Sequence, residues 1–342
     1  MEINKPQIYI GFITYGKSTA KYLPYFLPSL KEQSFKDFKI LAIDNSEIEN
    51  NENAIYIKNN FPEVKLKWAG KNFGFAKAFN IMIRQAIKDG AEYFLALNPD
   101  MIFEPGMVAE LIKVIETDEK TAALAPKILK WDFANQQTNI IDSYGLYITK
   151  EHHFSSLRQG EIDNPKFTEP RETFGFTGAA VLFRVKALID VVYQSGESKE
   201  YFDELMFMYK EDCDLSYRLR LAGWKIVFAP KAIAYHDRTA SPKGESNFKI
   251  ALNRQNKDKA VKKWSFLNHW ILWLKYNNLP FRFRVRAATW WYQIKSLIFI
   301  ILFEQYLLQE LVKLWQLRDE IRKRREQLKI RVNISEIEKF MN

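Results

Sequence analysis

The chain has 342 residues, 47% of them apolar and 27% charged, a balance that excludes a disordered or fibrous protein. A single cysteine, Cys213, excludes a disulfide scaffold and a cysteine-built zinc site and fits a reducing compartment. The formal charge of +10 lies wholly in the last third: residues 1–237 carry 29 basic and 32 acidic side chains, and residues 238–342 carry 22 and 9.

Residues 1–7 hold no apolar run ahead of a small-residue cleavage site, so no secretory signal is expected. The run QIYIGFIT (7–14) predicts a buried strand. Residues 19–33 carry a helical stripe of Leu23, Phe26, Leu27 and Leu30. Strands are expected at 38–43 and 64–68, then a helix over 75–89 closed by Gly90. A strand at 93–97 leads to Asn98-Pro99-Asp100, followed by a helix over 108–117 and a strand at 122–128. Residues 131–172 are polar and interrupted by Gly and Pro, so they read as a long loop or excursion. A strand at 225–229 ends at Pro230, and His236 follows. Strands alternating with helices of this length predict an α/β fold with a largely parallel sheet.

In such sheets ligands bind at the carboxyl ends of the strands. The polar residues Thr14, Tyr15, Asp44, Asn98 and Asp100 fall at those ends, although Asp and Asn also favour turns on their own account. The first strand–helix turn has neither GxGxxG nor GxxxxGK[ST], which argues against a dinucleotide site and a P-loop. Residues 14–22 have only one glycine, which also disfavours the triphosphate loop of a sugar nucleotidyltransferase.

The ordered segments ITYG (13–16), IDNS (43–46), KNFGFAKAFN (71–80), LNPD (97–100), TGA (177–179), EDCDLSYRLRLAGW (211–224) and AYH (234–236) together carry a resemblance. The chain resembles a family 2 glycosyltransferase of GT-A fold, most closely the rhamnosyltransferase-like branch. The resemblance covers roughly residues 7–240, with a weaker echo at Leu267-Asn268-His269. It implies a GT-A domain over 1–240, with a nucleotide-binding half at 1–130 and an acceptor half at 131–240, followed by a helical C-terminal region at 241–342.

The resemblance also implies roles. A departing nucleoside diphosphate needs its charge neutralised, which a hard divalent cation on carboxylate oxygens does. Asp100 and His236 are the implied ligands of Mg²⁺ or Mn²⁺. Asn98 stands where the family usually has a second carboxylate. An acceptor hydroxyl needs a base, a role that falls to Asp212 with Glu211 assisting; acids in the first turn of a helix also suit its dipole. Thr14, Tyr15, Asp44, Lys71, Asn72, Gly74, Asn80 and Asn98 are expected to bind the nucleotide, and Thr177 and Gly178 to line the sugar and acceptor pocket. A single base implies inversion at the anomeric carbon. The branch favours dTDP-rhamnose as donor, with UDP-hexoses open, and a glycan or lipid-linked acceptor in cell-surface polysaccharide synthesis. Asn98 also keeps open a degenerate sugar-nucleotide-binding scaffold.

The tail holds six of the nine tryptophans, including Trp290, Trp291 and Trp315. Its longest apolar run, Leu297–Phe303, has seven residues, against about 20 needed to span a bilayer. Arg282, Arg284, Arg286, the stretch KDKAVKK (257–263) and Arg322–Arg325 flank the aromatic region. Two readings follow: peripheral contact with an anionic membrane at its cytoplasmic face, or packed helices, including a homo-oligomer contact. No nucleic-acid module is present, so nucleic acid is not an expected partner.

Overall fold

The computed structural model describes residues 7–133, 136–164, 166–237 and 258–341. The expectation about a leader in residues 1–6, the boundary at 240 and the first residue of the 257–263 basic stretch lie outside them.

The parallel expectation holds for one half of the central sheet. Strands β1 (Ile8–Thr14), β2 (Phe38–Asp44), β3 (Lys65–Trp68) and β4 (Tyr93–Leu97) run parallel in the order β3-β2-β1-β4. Beyond β4 the sheet becomes mixed. β11 (Ala180–Arg184) pairs antiparallel with both β4 and β6 (Thr121–Asp132), and β14 (Lys225–His236) then runs parallel to β6.

Both faces are covered, as side-chain alternation requires. Ile8, Ile10 and Phe12 of β1 and Leu95 and Leu97 of β4 pack against α2 (Leu23–Lys31) and α5 (Met107–Ile115). Tyr9, Phe94 and Ala96 face the other way, against α4 (Gly74–Lys88) and α7 (Glu211–Leu221). The helical stripe expected over 19–33 divides into α1 (Gly16–Ala20) and α2, with Pro24 in the first turn of α2.

Two regions differ from expectation. The presumed loop 131–172 forms β7 (Gln136–Ser143), β8 (Leu146–Ile148), β9 (Phe154–Ser156) and β10 (Arg171–Glu172). Short strands rich in Gln, Thr, Asn and Ser lack the apolar alternation that would reveal them. Pro230 does not end its strand. β14 continues to His236 through a bulge, with the register shifting between Ala229 and Ile233, and a bulge is where a strand tolerates proline. The continuation pairs with β5 (Met101–Phe103), setting His236 opposite Met101.

The tail packs on the body. Helix α8 (Lys259–Tyr276) buries Phe266, Trp270, Ile271 and Tyr276 in one cluster with Met206, Tyr217 and Leu221. Tyr276 stacks on Tyr217 at 4.1 Å. Charges join this interface too. Lys275 Nζ donates to Asp203 Oδ2 at 2.8 Å and to Asp214 Oδ1, and Arg218 Nε donates to Asp214 Oδ2 at 2.9 Å. Arg324 of α11 (Arg318–Glu326) is buried rather than displayed with its basic neighbours, donating to Asp203 at 2.8 Å and to Glu200 at 2.9 Å. Burial opposes ionisation of Asp203, yet Lys275 and Arg324 hold its carboxyl down at about 2.

Removing one partner from such a knot leaves buried charge uncompensated, at about 3–5 kcal/mol. Lys275→Met is therefore expected to lower unfolding stability by about that amount, a large part of the usual 5–15 kcal/mol. Urea denaturation followed by tryptophan fluorescence and circular dichroism checks it.

Candidate active site

β1, β2 and β4 end along one edge of the sheet, and a cavity of about 560 Å³ opens there. It is lined in part by Tyr15, Asn72, Gly74, Asn98 and Asp100 from the first half of the chain. From the second half come Thr177, Gly178, Glu211, Asp212 and His236. Ten of the fourteen expected site residues thus share one cavity.

At one pole, the turn after β4 presents Asp100, and β14 brings His236 beside it. Asp100 Oδ1 lies 3.3 Å from His236 Nε2. That oxygen is buried, and the His236 ring is its one polar partner among the described residues. Behind the ring, Asp142 Oδ2 contacts His236 Nδ1 at 2.9 Å. Burial by itself lowers the basicity of His236; the two flanking carboxylates outweigh it and raise its pKa to about 9. Asp142 comes from β7, inside the presumed loop, and its sequence context of IIDS marks nothing. The backbone N–H of Asp237 donates to Asp100 O at 3.0 Å, and Tyr22 Oη donates to Asp237 at 2.5 Å, bracing this corner.

At the other pole, the first turn of α7 carries Asp212. Its Oδ2 accepts from Gly178 N–H at 3.0 Å and its Oδ1 from Cys213 N–H at 2.8 Å. Glu211 beside it is buried with Oε2 unpartnered. Burial, then the charge of Asp212, pushes the Glu211 carboxyl well above its usual range. The adjacent acids thus sit in different settings: burial disfavours the charged form of Glu211, while two backbone N–H groups donate to Asp212.

The loop before α7 is strained. Tyr209 and Lys210 take φ values of 73° and 71° in succession, a conformation that side-chain-bearing residues rarely adopt. Two supports hold it. Asn268 on α8 donates from one amide nitrogen to Met208 O at 2.8 Å and Tyr209 O at 2.7 Å. Below, Phe75 N–H donates to Phe207 O at 2.8 Å. The motif LNH (267–269) was the only sequence signal for Asn268. Gly74 belongs to this support: at φ 71°, an added Cβ would lie 2.3 Å from Phe207 O. Its missing side chain admits this loop, and Gly74 also lines the cavity.

The nucleotide-side residues divide. Tyr15 is exposed at the cavity mouth, and Asn72 Oδ1 accepts from Gly74 N–H at 2.8 Å. Asn45, which the sequence reading passed over, lines the cavity with a buried, unpartnered Oδ1. Four expected residues do not line it. Thr14 is buried and donates to Asp44 Oδ1 at 3.1 Å. Asp44 is buried too, accepting from Ser46 Oγ at 2.7 Å and from Asn51, so it shapes the floor beneath Asn45. Lys71 is exposed, with its ammonium 5.8 Å from the Phe73 ring. Asn80 is buried and fully engaged: its Oδ1 accepts from Tyr201 and Phe202 N–H, and its amide donates to Phe202 O and Glu204. It ties α4 to the 201–204 turn and has no group left for a diphosphate.

A mixed α/β sheet with a carboxylate turn after its fourth strand, facing a helix-borne carboxylate across a cleft, defines a glycosyltransferase of GT-A fold. The family model for glycosyl transferase family 2 matches residues 9–192, more than half of the chain, and the chain belongs to that family. It is 28% identical over 247 residues to N-acetylglucosaminyl-diphospho-decaprenol L-rhamnosyltransferase of Mycobacterium tuberculosis, covering 67% of this chain and 75% of that protein, in each of two strains. Among solved structures, GalNAc-T7 with UDP, GalNAc and Mn²⁺ superposes with a TM-score of 0.53 at 18% identity. That match covers 69% of this chain, and this chain spans only 44% of GalNAc-T7.

Asn268→Ala should slow sugar transfer about tenfold by loosening the 207–210 loop, with little change in donor binding. Asn268→Asp should be no better, since a carboxylate cannot donate to two carbonyls. Steady-state rates with donor KM and kcat separated, alongside melting curves, check this.

Proposed function

We propose that this glycosyltransferase moves a sugar, with rhamnose from dTDP-rhamnose favoured over a UDP-hexose, onto a hydroxyl of a lipid-diphosphate-linked sugar. The reaction inverts the anomeric carbon and takes place at the cytoplasmic membrane face during cell-surface polysaccharide synthesis. The observation that carries the reading is the convergence of Asp100 and His236 with Asp212 on one cavity. The name of the mycobacterial relative supports the sugar and the lipid-linked acceptor.

Among the described residues no three His, Cys, Asp or Glu side chains form a metal cluster by themselves. Asp100 Oδ1, partnered only by the His236 ring, and a histidine backed by a carboxylate nevertheless fit a divalent cation shared with a diphosphate. Asp100 and His236 would hold it, His236 giving up to solvent the proton that the two carboxylates otherwise keep on it, with Asp142 fixing the ring, and the cation would neutralise the departing diphosphate. GalNAc-T7, of the same fold, was solved with UDP and Mn²⁺.

Asp212 takes the proton from the acceptor hydroxyl as its oxygen forms a bond to the anomeric carbon. The bond from that carbon to the diphosphate oxygen breaks, and the nucleoside diphosphate leaves with the electron pair. Gly178 N–H and the first turn of α7 orient Asp212 during this transfer. Glu211, holding its proton, can donate a hydrogen bond to the acceptor. Asn45 and Tyr15 line the donor end. Asn98, in place of a carboxylate, favours a second reading as a binding-only scaffold.

Asp212→Asn should keep thermal stabilisation by donor and Mn²⁺ while losing about 10²–10⁴ in transfer rate. Asp100→Asn should lose the Mn²⁺-dependent part of the stabilisation. Differential scanning fluorimetry with nucleotide sugars, paired with transfer assays, reads both, and wild-type stabilisation without turnover would favour the scaffold. NMR of the product's anomeric proton should show inversion; retention would remove Asp212 as a single-displacement base.

A further inference from the structure

Helix α9 (Phe283–Phe303) is covered along one face, and its opposite, apolar face is not. The covered face holds Val285, Thr289, Gln293 and Ile300. Gln293 pairs with His269 of α8 at 3.0 Å, and Thr289 Oγ1 donates to Lys150 O at 2.9 Å. The opposite face carries Trp291, Ile294, Ile298 and Leu302, all exposed and spaced three or four residues apart along one stripe. From Trp291 to Leu302 the stripe runs about 16 Å. Phe303 is 71% exposed, and Trp315 on α10 (Leu308–Gln316) is 65% exposed. Large apolar side chains this exposed and this contiguous mark an interaction surface.

Charge identifies the partner. Phe283–Phe303 contains no acidic residue. Arg284, Arg286 and Lys295 are exposed and have no ion pair among the described residues. Lys295 lies 6.0 Å from the Trp291 ring, and the Arg318 guanidinium sits 4.0 Å over the Trp315 ring. Cations beside indoles at the edge of an apolar stripe match the headgroup zone of an anionic bilayer, where the stems lie on acyl chains and the charges meet phosphates. A second copy of this chain fits poorly, because a two-fold interface would set these like charges against each other. No helix among the described residues is long and apolar enough to cross a membrane. We propose that the outer face of α9, with the end of α10, docks in the plane of an anionic lipid surface.

This deepens the functional reading above and rests on its lipid-linked acceptor. Helix α8 lies between the docking face and the site: it meets α9 through His269–Gln293 and a Trp273–Trp290 contact at 4.9 Å, and the catalytic loop through Asn268. The acceptor pole of the cavity is thus one helix away from the proposed lipid surface.

The test uses the full chain with vesicles of phosphatidylcholine alone or with phosphatidylglycerol. Flotation is expected with phosphatidylglycerol vesicles, at least about tenfold stronger than with phosphatidylcholine and weakened by salt. Brominated acyl chains should quench part of the tryptophan fluorescence of the unaltered protein, a readout that needs no variant. Leu302→Glu with Phe303→Glu should abolish flotation while leaving transfer to a short-chain, water-soluble acceptor unchanged. Absence of both flotation and quenching, equal binding to both vesicle types, or a dimer in ultracentrifugation that Leu302→Glu dissolves would overturn the proposal. Loss of docking with intact transfer to the soluble acceptor leaves the enzymatic reading standing; docking without transfer to any acceptor overturns that reading alone.

Discussion

Lys275 lies in the interior between the carboxylates of Asp203 and Asp214, and the placement of α7 and of the loop before it follows from that contact. Asp214 sits two residues beyond Asp212 on α7, and Asp203 sits in the segment leading to the strained loop. A buried cation between them cannot slide, because any shift exposes one charge to an apolar surround without its partner. Arg218 and Arg324 complete the knot, so α7, α8 and α11 behave as one body. The first turn of α7, which carries Asp212, is held by these ions, and the loop before it by Asn268.

The two poles of the cleft are built differently. His236 belongs to the sheet and Asp100 to the turn between β4 and β5, and a bulge in β14 brings His236 opposite Met101, next to Asp100. Asp212 belongs to a helix end and is oriented by N–H donors. The loop that leads to the second pole rests where Gly74 admits Phe207 against α4. A side chain there would displace the loop that carries the acceptor pole, which explains a glycine in a motif that otherwise reads as a nucleotide contact.

Helical C-terminal segments extend the same logic outward. α8 contributes to the buried core and braces the 207–210 loop, and α9 covers α8 on one face only. The basic, tryptophan-rich character of the tail therefore divides: Lys275 and Arg324 are structural and buried, whereas Arg284, Arg286 and Lys295 are exposed.

Local pattern alone determined much. Continuous apolar runs marked β1, β2 and β4, and the 3.6-residue stripes marked α2, α4 and α5, because burial on a sheet or helix face imposes a period visible in sequence. Asp100, Asp212 and His236 were legible because they end strands or begin a helix inside recognisable motifs. Tertiary structure decided which polar residues face the cleft. Asn80 and Asp44 look like ligand residues in sequence, yet every polar group of Asn80 is spent within the fold, and Asp44 serves its own loop. Asp142 and Asn268 act on the site from segments far away in the chain. Such choices depend on strand order, register and a bulge, which are long-range pairings, and no short window of sequence contains both partners.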